Sequence, residues 1–296
     1  MILVVGATGT LGSSLCADLL ANGHDVRAVV RESSKPESVA RLEELGAQTV
    51  VADLRNRRSI VAALNGVRVV VSTATSVSSS NESNTFDTVD RNGQLDLLTA
   101  AQEQGVEHFI YVSFPPFEGN IPLQEAKRTV ERALHAGNLP YTVLQVPYFQ
   151  ESWLAAPLGV NPETGAMQTF GGGSAPISWI SIGDVCAAIR ASLTSRGARN
   201  RTLKVGGKEA LSQKEVIARC EKLSGRQIER EDTPKSQLEG MASSSDPLLQ
   251  TFSGLMKVCG DGGCVIDNSE AEEVLGYRPQ PIDDYLAKLA ASLPSA

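Results

Sequence analysis

The sequence predicts a doubly wound α/β fold, a Rossmann-type arrangement in which helices cover a mostly parallel sheet. Three observations predict it. Over residues 1–150, short runs rich in valine and isoleucine alternate with helical patterns. Several helical segments end in glycine, which is typical of helix C-termini. The strand-like runs are apolar almost throughout, as expected of parallel strands that are buried on both faces.

The elements follow in regular order along these residues. The predicted strands are ILVV (2–5), DVRAVV (25–30), AQTVVAD (47–53), VRVVVSTA (67–74), EHFIYVSF (107–114) and YTVLQVPYF (141–149). The first helical pattern places Leu11, Leu15 and Leu19 on one face. It ends before Gly23. The intervening polar and amphipathic segments therefore predict the crossover helices of successive βαβ units.

Beyond residue 150 the alternation is lost. We expect residues 151–296 to form a smaller, partly interleaved α/β lobe that serves a substrate or a partner. The segments around 177–190 and 201–207 are expected to return to the main domain. The polar stretch at 239–250 (EGMASSSDPLLQ) predicts an exposed loop.

Composition excludes several classes of protein. The chain has 296 residues, 42% hydrophobic residues and a net charge of −7, which disfavours nucleic acid or an anionic membrane as its main partner. The apolar start MILVVG is too short for a signal peptide, so a cytoplasmic location is expected. Five scattered cysteines predict free, buried thiols, and three histidines make a metal site improbable, so none is predicted. The oligomeric state is expected to be monomer or homodimer.

The strongest motif is VVGATGTLG at residues 4–12. Gly6 suits a tight turn, Gly9 allows the backbone to approach a pyrophosphate, and Gly12 allows close helix–strand packing. The motif lies directly between a strand and a helix, which is the context that a dinucleotide-binding turn requires. The backbone amides expected to face a phosphate at the helix N-terminus are those of Thr8, Thr10 and Leu11. Residues 1–150 are therefore predicted to form an NAD(P)-binding domain.

The end of the second strand bears on the choice of dinucleotide. Arg31 follows the strand directly, and Lys35 lies four residues further on. A guanidinium can hold the 2′-phosphate of NADP at two points, whereas a carboxylate there would favour the ribose of NAD. NADP is favoured, and the adjacent Glu32 keeps NAD open.

Two further strand ends are expected to border the cofactor. Asp53 and Leu54 follow the third strand and are placed to meet the adenine edge. Thr73, Ala74 and Thr75 follow the fourth strand and would lie along a cofactor ribose.

Taken together, several segments resemble the atypical short-chain dehydrogenase/reductase superfamily, specifically its NmrA-like and isoflavone-reductase-like branch. They are GATGTLG, VRAVVR, VADLRN, VEHFIYVSF, VPYFQESW, ISWISIGDVCAAI and RTLKVGGKEALSQKEV. The likeness spans residues 1 to about 285. It implies that Pro147, Tyr148 and Phe149 border the nicotinamide pocket.

The resemblance also implies a role for Lys127. The superfamily's usual chemistry uses Tyr-x-x-x-Lys and a serine after the fifth strand. Here Leu123 stands at the tyrosine position, and Phe114 falls where the serine is expected. Ser113 is one residue early, so its side chain is expected to point to the opposite face.

Lys127 has two readings. The buried helical stripe is predicted to be Leu123, Ala126, Val130 and Leu134, with Lys127 at its border. Lys127 is either a surface lysine paired with Glu131, four residues on, or the lysine that acts without the tyrosine in isoflavone-reductase-like enzymes. Lys127 and Tyr148 are the predicted catalytic residues, although Tyr148 can equally be an aromatic lid over the nicotinamide.

Two functions are therefore expected. The first is an NADPH-dependent reductase that passes hydride to a small apolar or conjugated acceptor, such as a quinone or an enone. The apolar residues around Phe114 favour it. The second is a non-catalytic NADP(H)-binding redox sensor, regulator or assembly factor that acts on a protein partner. The missing tyrosine favours it.

Overall fold

The computed structural model describes residues 1–77, 79, 81–161 and 163–293, and it joins the predicted strands in one sheet. The strands of the described residues are β1 (Ile2–Val5), β2 (Val26–Val30), β3 (Gln48–Val51), β4 (Val69–Ser72), β5 (His108–Ser113), β6 (Tyr141–Gln145), β7 (Met167–Phe170), β8 (Arg201–Lys204) and β9 (Arg230–Thr233). Seven of them form a sheet in the order β3-β2-β1-β4-β5-β6-β8, and β7 pairs with β9.

The pairings confirm the predicted doubly wound parallel sheet. Strand β1 pairs in parallel with β2 on one side and β4 on the other, with Ile2 opposite Val26 and Val69. The pairs β2–β3, β4–β5 and β5–β6 are also parallel. The strand order therefore reverses between β1 and β4. In open α/β sheets, ligands bind outside the carboxyl ends of the strands at such a reversal.

Helices fill most of the connections. They are α1 (Thr10–Ala21), α2 (Pro36–Glu44), α3 (Arg57–Ala63), α4 (Gln94–Glu103), α5 (Pro122–Ala136), α6 (Gln150–Trp153), α7 (Ile182–Thr194), α8 (Gln213–Ser224), α9 (Lys235–Ala242), α10 (Pro247–Gly260), α11 (Ser269–Leu275) and α12 (Asp283–Ser292). A π-helix, Phe86–Gly93, leads directly into α4. Among the described residues, no helix combines the length and apolar character needed to span a membrane.

The chain divides into two compact units. The first consists of Met1–Ser113, Leu123–Gln145 and Cys186–Leu203, and the second of Phe114–Pro122, Val146–Val185 and Lys204–Ala296. The segment that returns to the first unit is therefore 186–203, where the sequence led us to expect 177–190 and 201–207. The first unit also lacks 114–122, which the expected boundary near residue 150 had included.

Each unit has its own hydrophobic core. In the first, β-strand residues such as Leu3, Val70 and Phe109 pack with helix residues such as Leu97 and Leu134. The core of the second consists of aromatic and aliphatic residues, including Tyr148, Trp153, Trp179, Leu238 and Leu286. All five cysteines are free and buried, which confirms the prediction of unpaired, buried thiols.

The loop predicted at 239–250 is wrong for most of its length. Helix α9 continues to Ala242 and α10 begins at Pro247, so only a short connection separates them. The Asp246 carboxylate accepts a hydrogen bond from the Leu248 amide at 2.8 Å and caps α10. Pro247 suits the first turn because its missing N–H would have no partner there. Serines and a proline thus marked a helix start and not a loop.

Candidate cofactor-binding and active site

The turn between β1 and α1 depends on its glycines. Gly6 has φ +90°, and a Cβ atom there would lie 2.8 Å from the backbone nitrogen of Ala74. A Cβ at Gly12 would lie 2.1 Å from the Gly6 carbonyl oxygen, so the helix packs directly on the turn. The Gly9 amide donates to that same oxygen at 3.0 Å. Side chains at Gly6 and Gly12 would therefore disrupt this turn. Gly9 is exposed and has no side chain to cover its backbone.

The N-terminus of α1 is left without a capping side chain. Its N-cap is Gly9, no side chain of the described residues accepts from its first amides, and no acidic residue lies in its first turn. Thr10 is exposed, and Thr8 and Leu11 are half-buried. The first amides of a helix have no intrahelical partner and carry the positive end of its dipole. This end of α1 therefore suits an anion such as a pyrophosphate.

Basic side chains follow β2. Arg31 and Lys35 are both exposed, and the Arg31 amide donates to the Ser34 hydroxyl at 2.9 Å. Lys35 is the residue directly before α2. Neither side chain is engaged in an ion pair with a described residue, so both are available to a ligand phosphate.

The predicted residues after β3 have different surroundings. Asp53 accepts hydrogen bonds from the Arg55 guanidinium at 2.7 and 3.0 Å. Arg55 holds the pKa of this carboxyl below its ordinary value, and the positive charge of Arg31 acts in the same direction. Leu54 is buried in the first core. Asp53 is thus a fixed, ionised carboxylate close to Arg31.

The residues after β4 lie against the glycine turn. The Thr73 hydroxyl donates to the Val5 carbonyl at 3.1 Å, and the Ala74 carbonyl accepts from the Gln94 side chain at 3.3 Å. Thr75 is exposed. The structure therefore brings Gly6, Thr73 and Ala74 together at the point where the strand order reverses.

Lys127 is a buried residue, and this contradicts its reading as a surface lysine. Only 7% of it is exposed, and its Nζ donates to the Val112 carbonyl at 3.0 Å. The nitrogen also lies 5.1 Å from the centre of the Tyr111 ring, which is cation–π distance. The pairing with Glu131 that belonged to this reading is wrong as well, because Glu131 forms its ion pair with Arg128.

Burial disfavours the charged form of Lys127. It lowers the pKa of the ammonium below the ordinary value, and the carboxylates of Asp90 and Glu131 oppose this effect. Asp90 lies in the π-helix and is fully buried. One of its oxygens accepts from the Ser76 amide and hydroxyl, at 2.9 and 2.6 Å. Lys127 is thus one member of a buried polar cluster.

Ser113 lies on an unexpected face of β5. Alternation along the strand puts Ser113 on the same side as Tyr111. The Lys127 nitrogen lies over the ring of Tyr111. The hydroxyls of Ser113 and Tyr111 are both buried and have no hydrogen-bond partner among the described residues. Ser113 therefore shares the Lys127 side of the sheet, whereas we expected it to point away.

Tyr148 belongs to the second unit and is engaged there. Its hydroxyl donates to the Leu255 carbonyl at 2.8 Å, and burial raises its pKa well above the ordinary value. Its ring meets Trp153 edge-on, with 4.8 Å between ring centres, and also contacts Phe117. A phenol bound in this way is held as a packing group. This geometry disfavours an acid role for Tyr148.

The other predicted residues of this segment extend the chain beyond β6. Pro147 is buried and Phe149 is half-buried. Phe149 forms a parallel bridge with Ile180, and the Tyr148 carbonyl accepts from the Ile180 amide at 3.0 Å. In the same unit, the half-buried rings of Phe114 and Phe117 stack at 5.9 Å. The rings of Phe114, Phe117 and Tyr148 thus form one aromatic group in this unit.

Sequence reasoning missed Asp90 and Ser76. Asp90 follows Phe86 by four residues and Val89 by one, so it falls in the buried face of its helix. A charged residue in an apolar stripe was the available signal. Ser76 follows β4 by four residues, and no sequence pattern marked it as part of this cluster.

Known proteins are similar in sequence to most of this chain. The sequence model of the NmrA-like family matches residues 1–286. The photosystem II assembly factor Ycf39 of Trieres chinensis is 32% identical over 229 residues, which cover 76% of this chain and 69% of that protein. The NAD(P)H azoreductase of Xenophilus azovorans is 30% identical over 230 residues, covering 77% and 75%.

Solved structures share the fold. The NADPH-dependent quinone oxidoreductase of Escherichia coli, solved with NADPH, has a TM-score of 0.76 and 21% identity, and the likeness covers 98% of this chain and 99% of that one. The triphenylmethane reductase of a Citrobacter species, solved with NADP(H), has a TM-score of 0.77 and 20% identity, covering 98% and 100%.

Proposed function

The chain belongs to the NmrA-like family, and on this premise we propose that it is an NADP(H)-dependent reductase. It passes hydride to a small apolar or conjugated acceptor, such as a quinone or an enone. The observation that carries the proposal is the tightly packed glycine turn in front of the uncapped helix α1. The azoreductase likeness supports a reductase, and the two solved reductases that share the fold were found with NADPH or NADP(H).

The dinucleotide fits the residues of the first unit. The pyrophosphate would be held by the turn and by the first amides of α1, from Gly6, Thr8, Gly9, Thr10, Leu11 and Gly12. A side chain at Gly12 would collide with the Gly6 carbonyl, which is why this position is glycine. Arg31 and Lys35 would hold the 2′-phosphate of NADP, since both side chains are exposed and cationic. NAD is the less favoured cofactor.

The remaining predicted contacts are assigned by position. Asp53 and Leu54 would border the adenine, and Thr73, Ala74 and Thr75 would border a ribose, because these residues follow β3 and β4 at the carboxyl edge of the sheet. Pro147, Tyr148 and Phe149 are proposed for the nicotinamide end, as their resemblance to the family motif implies.

The reduced nicotinamide, when bound, supplies the hydride. Lys127 would hold a ribose hydroxyl and polarise the acceptor, because its ammonium keeps N–H donors beyond the one given to Val112. Leu123 cannot transfer a proton. The Tyr148 hydroxyl is bound to the Leu255 carbonyl, so we assign Tyr148 no part in proton transfer. Protonation of the product is then left to Lys127 or solvent.

A second function is favoured by a different observation. The assembly factor Ycf39 is similar over most of this chain, and Leu123 removes the usual acid. A protein that binds NADP(H) without turnover and reports its redox state to a protein partner would need the glycine turn and Lys127 but no acid. This alternative shares every cofactor contact with the reductase, and only turnover separates the two.

Calorimetric titration tests the cofactor assignment. Arg31→Ala should weaken NADPH binding by at least about tenfold and leave NADH nearly unchanged, because only NADPH carries the 2′-phosphate. Arg41→Ala is the matched control, since Arg41 is another exposed arginine, on α2. Equal weakening of NADPH and NADH by Arg31→Ala would refute the preference for NADP. If the native protein binds neither NADPH nor NADH, the proposed dinucleotide-binding site is refuted.

A further inference from the structure

Gln94 is a polar residue that is fully buried at the start of α4. It is 0% exposed, and it lies where the π-helix Phe86–Gly93 passes into α4. Burying an amide side chain is costly unless its polar atoms find partners. Gln94 finds them at the end of β4. Its Oε1 accepts from the Ser72 hydroxyl at 2.8 Å, and its Nε2 donates to the Ala74 carbonyl at 3.3 Å. One side chain therefore holds both the last residue of β4 and the segment that follows it.

The segment that Gln94 holds is in direct contact with the glycine turn. A Cβ atom at Gly6 would lie 2.8 Å from the Ala74 nitrogen and 2.9 Å from the Thr73 hydroxyl oxygen. The Thr73 amide donates to the Val5 carbonyl at 2.9 Å. Because the packing is this close, a shift of the Ala74 backbone would change the shape of the turn.

Two more contacts join the same helix to this edge of the sheet. One turn before Gln94, the buried Asp90 accepts from the amide and the hydroxyl of Ser76, at 2.9 and 2.6 Å. A Cβ atom at Gly93 would lie 2.7 Å from the Leu54 Cβ, so the helix also packs directly on the segment after β3. This stretch of helix thus contacts both of the segments that are proposed to border the dinucleotide.

We propose that Gln94 is a positioning residue of the dinucleotide site, which fixes the end of β4 against the glycine turn. The inference rests on the proposed function and deepens it. Gln94 is fully buried and acts through Ala74, whose backbone lies against Gly6. Binding sites need their contacting groups held to within about 0.5 Å by supporting residues of this kind. Loss of the Gln94 amide should therefore weaken the binding of the dinucleotide.

The test compares two variants that each remove two buried hydrogen bonds. Gln94→Met removes both bonds to the end of β4 and keeps a side chain of similar length. Thr142→Val is the matched control, because the Thr142 hydroxyl is hydrogen-bonded to His108 and to the Ala198 carbonyl. Thr142 lies near the start of β6, away from the carboxyl edge of the sheet. Urea unfolding shows whether both variants are folded and compares their stability.

Calorimetric titration with NADPH gives the first readout. Gln94→Met should weaken NADPH binding by at least about tenfold, whereas Thr142→Val should bind NADPH within about twofold of the native protein. A merely structural role would lower the stability without this selective loss of affinity. Native-like NADPH affinity in Gln94→Met, or an equal loss in both variants, would overturn the positioning role.

Amide hydrogen exchange gives a second readout that needs no cofactor. In Gln94→Met, the amides of Thr73 and Ser76 should exchange at least about tenfold faster than in the native protein, because the segment between them has lost its anchor. In Thr142→Val their exchange should stay as in the native protein. Unchanged exchange in Gln94→Met would overturn the inference. If no form of the protein binds NADPH while the exchange in Gln94→Met is faster, the proposed function fails and the hold of Gln94 on β4 stands.

Ser72→Ala covers the case in which Gln94→Met does not fold. It removes only the hydroxyl that donates to Gln94, so the amide that reaches Ala74 is less firmly oriented. NADPH binding should then weaken by about threefold or more. In that case, an NADPH affinity of Ser72→Ala equal to that of the native protein would overturn the proposal.

Discussion

Gly12 shows how much a single residue can reveal in sequence. Its place in G-x-x-G-x-x-G predicted close packing between helix and strand, and the structure leaves no room for a Cβ atom there. Asp90 and Ser76 could not be predicted in the same way. Their contact joins residues fourteen apart in the sequence, and no local pattern specifies which serine will reach a buried carboxylate.

A matched pair of glycines tests the packing of the turn. Gly12→Ala should lower the free energy of unfolding by about 2 kcal/mol or more, because its Cβ would overlap a backbone carbonyl. Gly240→Ala lies within helix α9 with nothing within 4 Å of the added Cβ, and it should stabilise by roughly 0.5–1 kcal/mol. Urea unfolding measures both. Equal effects of the two substitutions would contradict the close approach.

His108 should make the protein sensitive to acid. Burial lowers its pKa from 6.5 to about 3, and its Nε2 lies 2.9 Å from the Thr142 hydroxyl. The folded state therefore keeps His108 neutral, while the unfolded chain takes up a proton below about pH 6.5. Stability from this residue is complete above pH 6.5 and is lost as the pH falls towards 3, by at most roughly 1.4 kcal/mol per pH unit.

The check is the pH dependence of urea unfolding in His108→Leu. Thr142 keeps its hydrogen bond to the Ala198 carbonyl in this variant. Its stability should fall less steeply than that of the native protein between pH 6.5 and 4. Parallel curves would show that His108 is not the group responsible.

At the scale of elements, periodicity predicted the strands and the buried stripe of α5, since these depend on local alternation. Periodicity did not predict whether the Lys127 side chain is buried or exposed. A residue at the border of a helical stripe can turn inward or outward. The partner of Glu131 is Arg128 at i−3, whereas the surface reading of Lys127 placed that lysine, at i−4, in the pair. The start of α10 was missed because the polar residues that precede it are typical of a loop.

Helix α10 provides a test of that start. Asp246→Ala should cost about 1 kcal/mol, because the capping hydrogen bond to the Leu248 amide is lost. Asp246→Asn retains an acceptor oxygen and should stay within roughly 0.5 kcal/mol of the native protein. The comparison is made by thermal or urea unfolding. If both variants lose the same stability, the charge and not the cap is responsible.

At the scale of the whole molecule, the first unit was predictable and the second was not. The repeated βαβ pattern predicted a doubly wound, mostly parallel sheet from local periodicity, and the strand order β3-β2-β1-β4-β5-β6 agrees with it. The second unit is assembled from three separate segments. Its aromatic core joins residues such as Phe117, Tyr148 and Phe252, which are distant in sequence, so sequence alone did not define its surroundings.

The central claim is turnover by an NADPH-binding protein that lacks the usual tyrosine. It is tested most directly by mixing the purified protein with NADPH and a panel of quinones and enones, and following the reduced-nicotinamide absorbance. We predict acceptor-dependent loss of this absorbance, and at least about a hundredfold slower loss in Lys127→Met. Tight NADPH binding without absorbance loss across the panel would contradict the proposed reductase activity. Full activity in Lys127→Met would contradict the proposed role of that lysine.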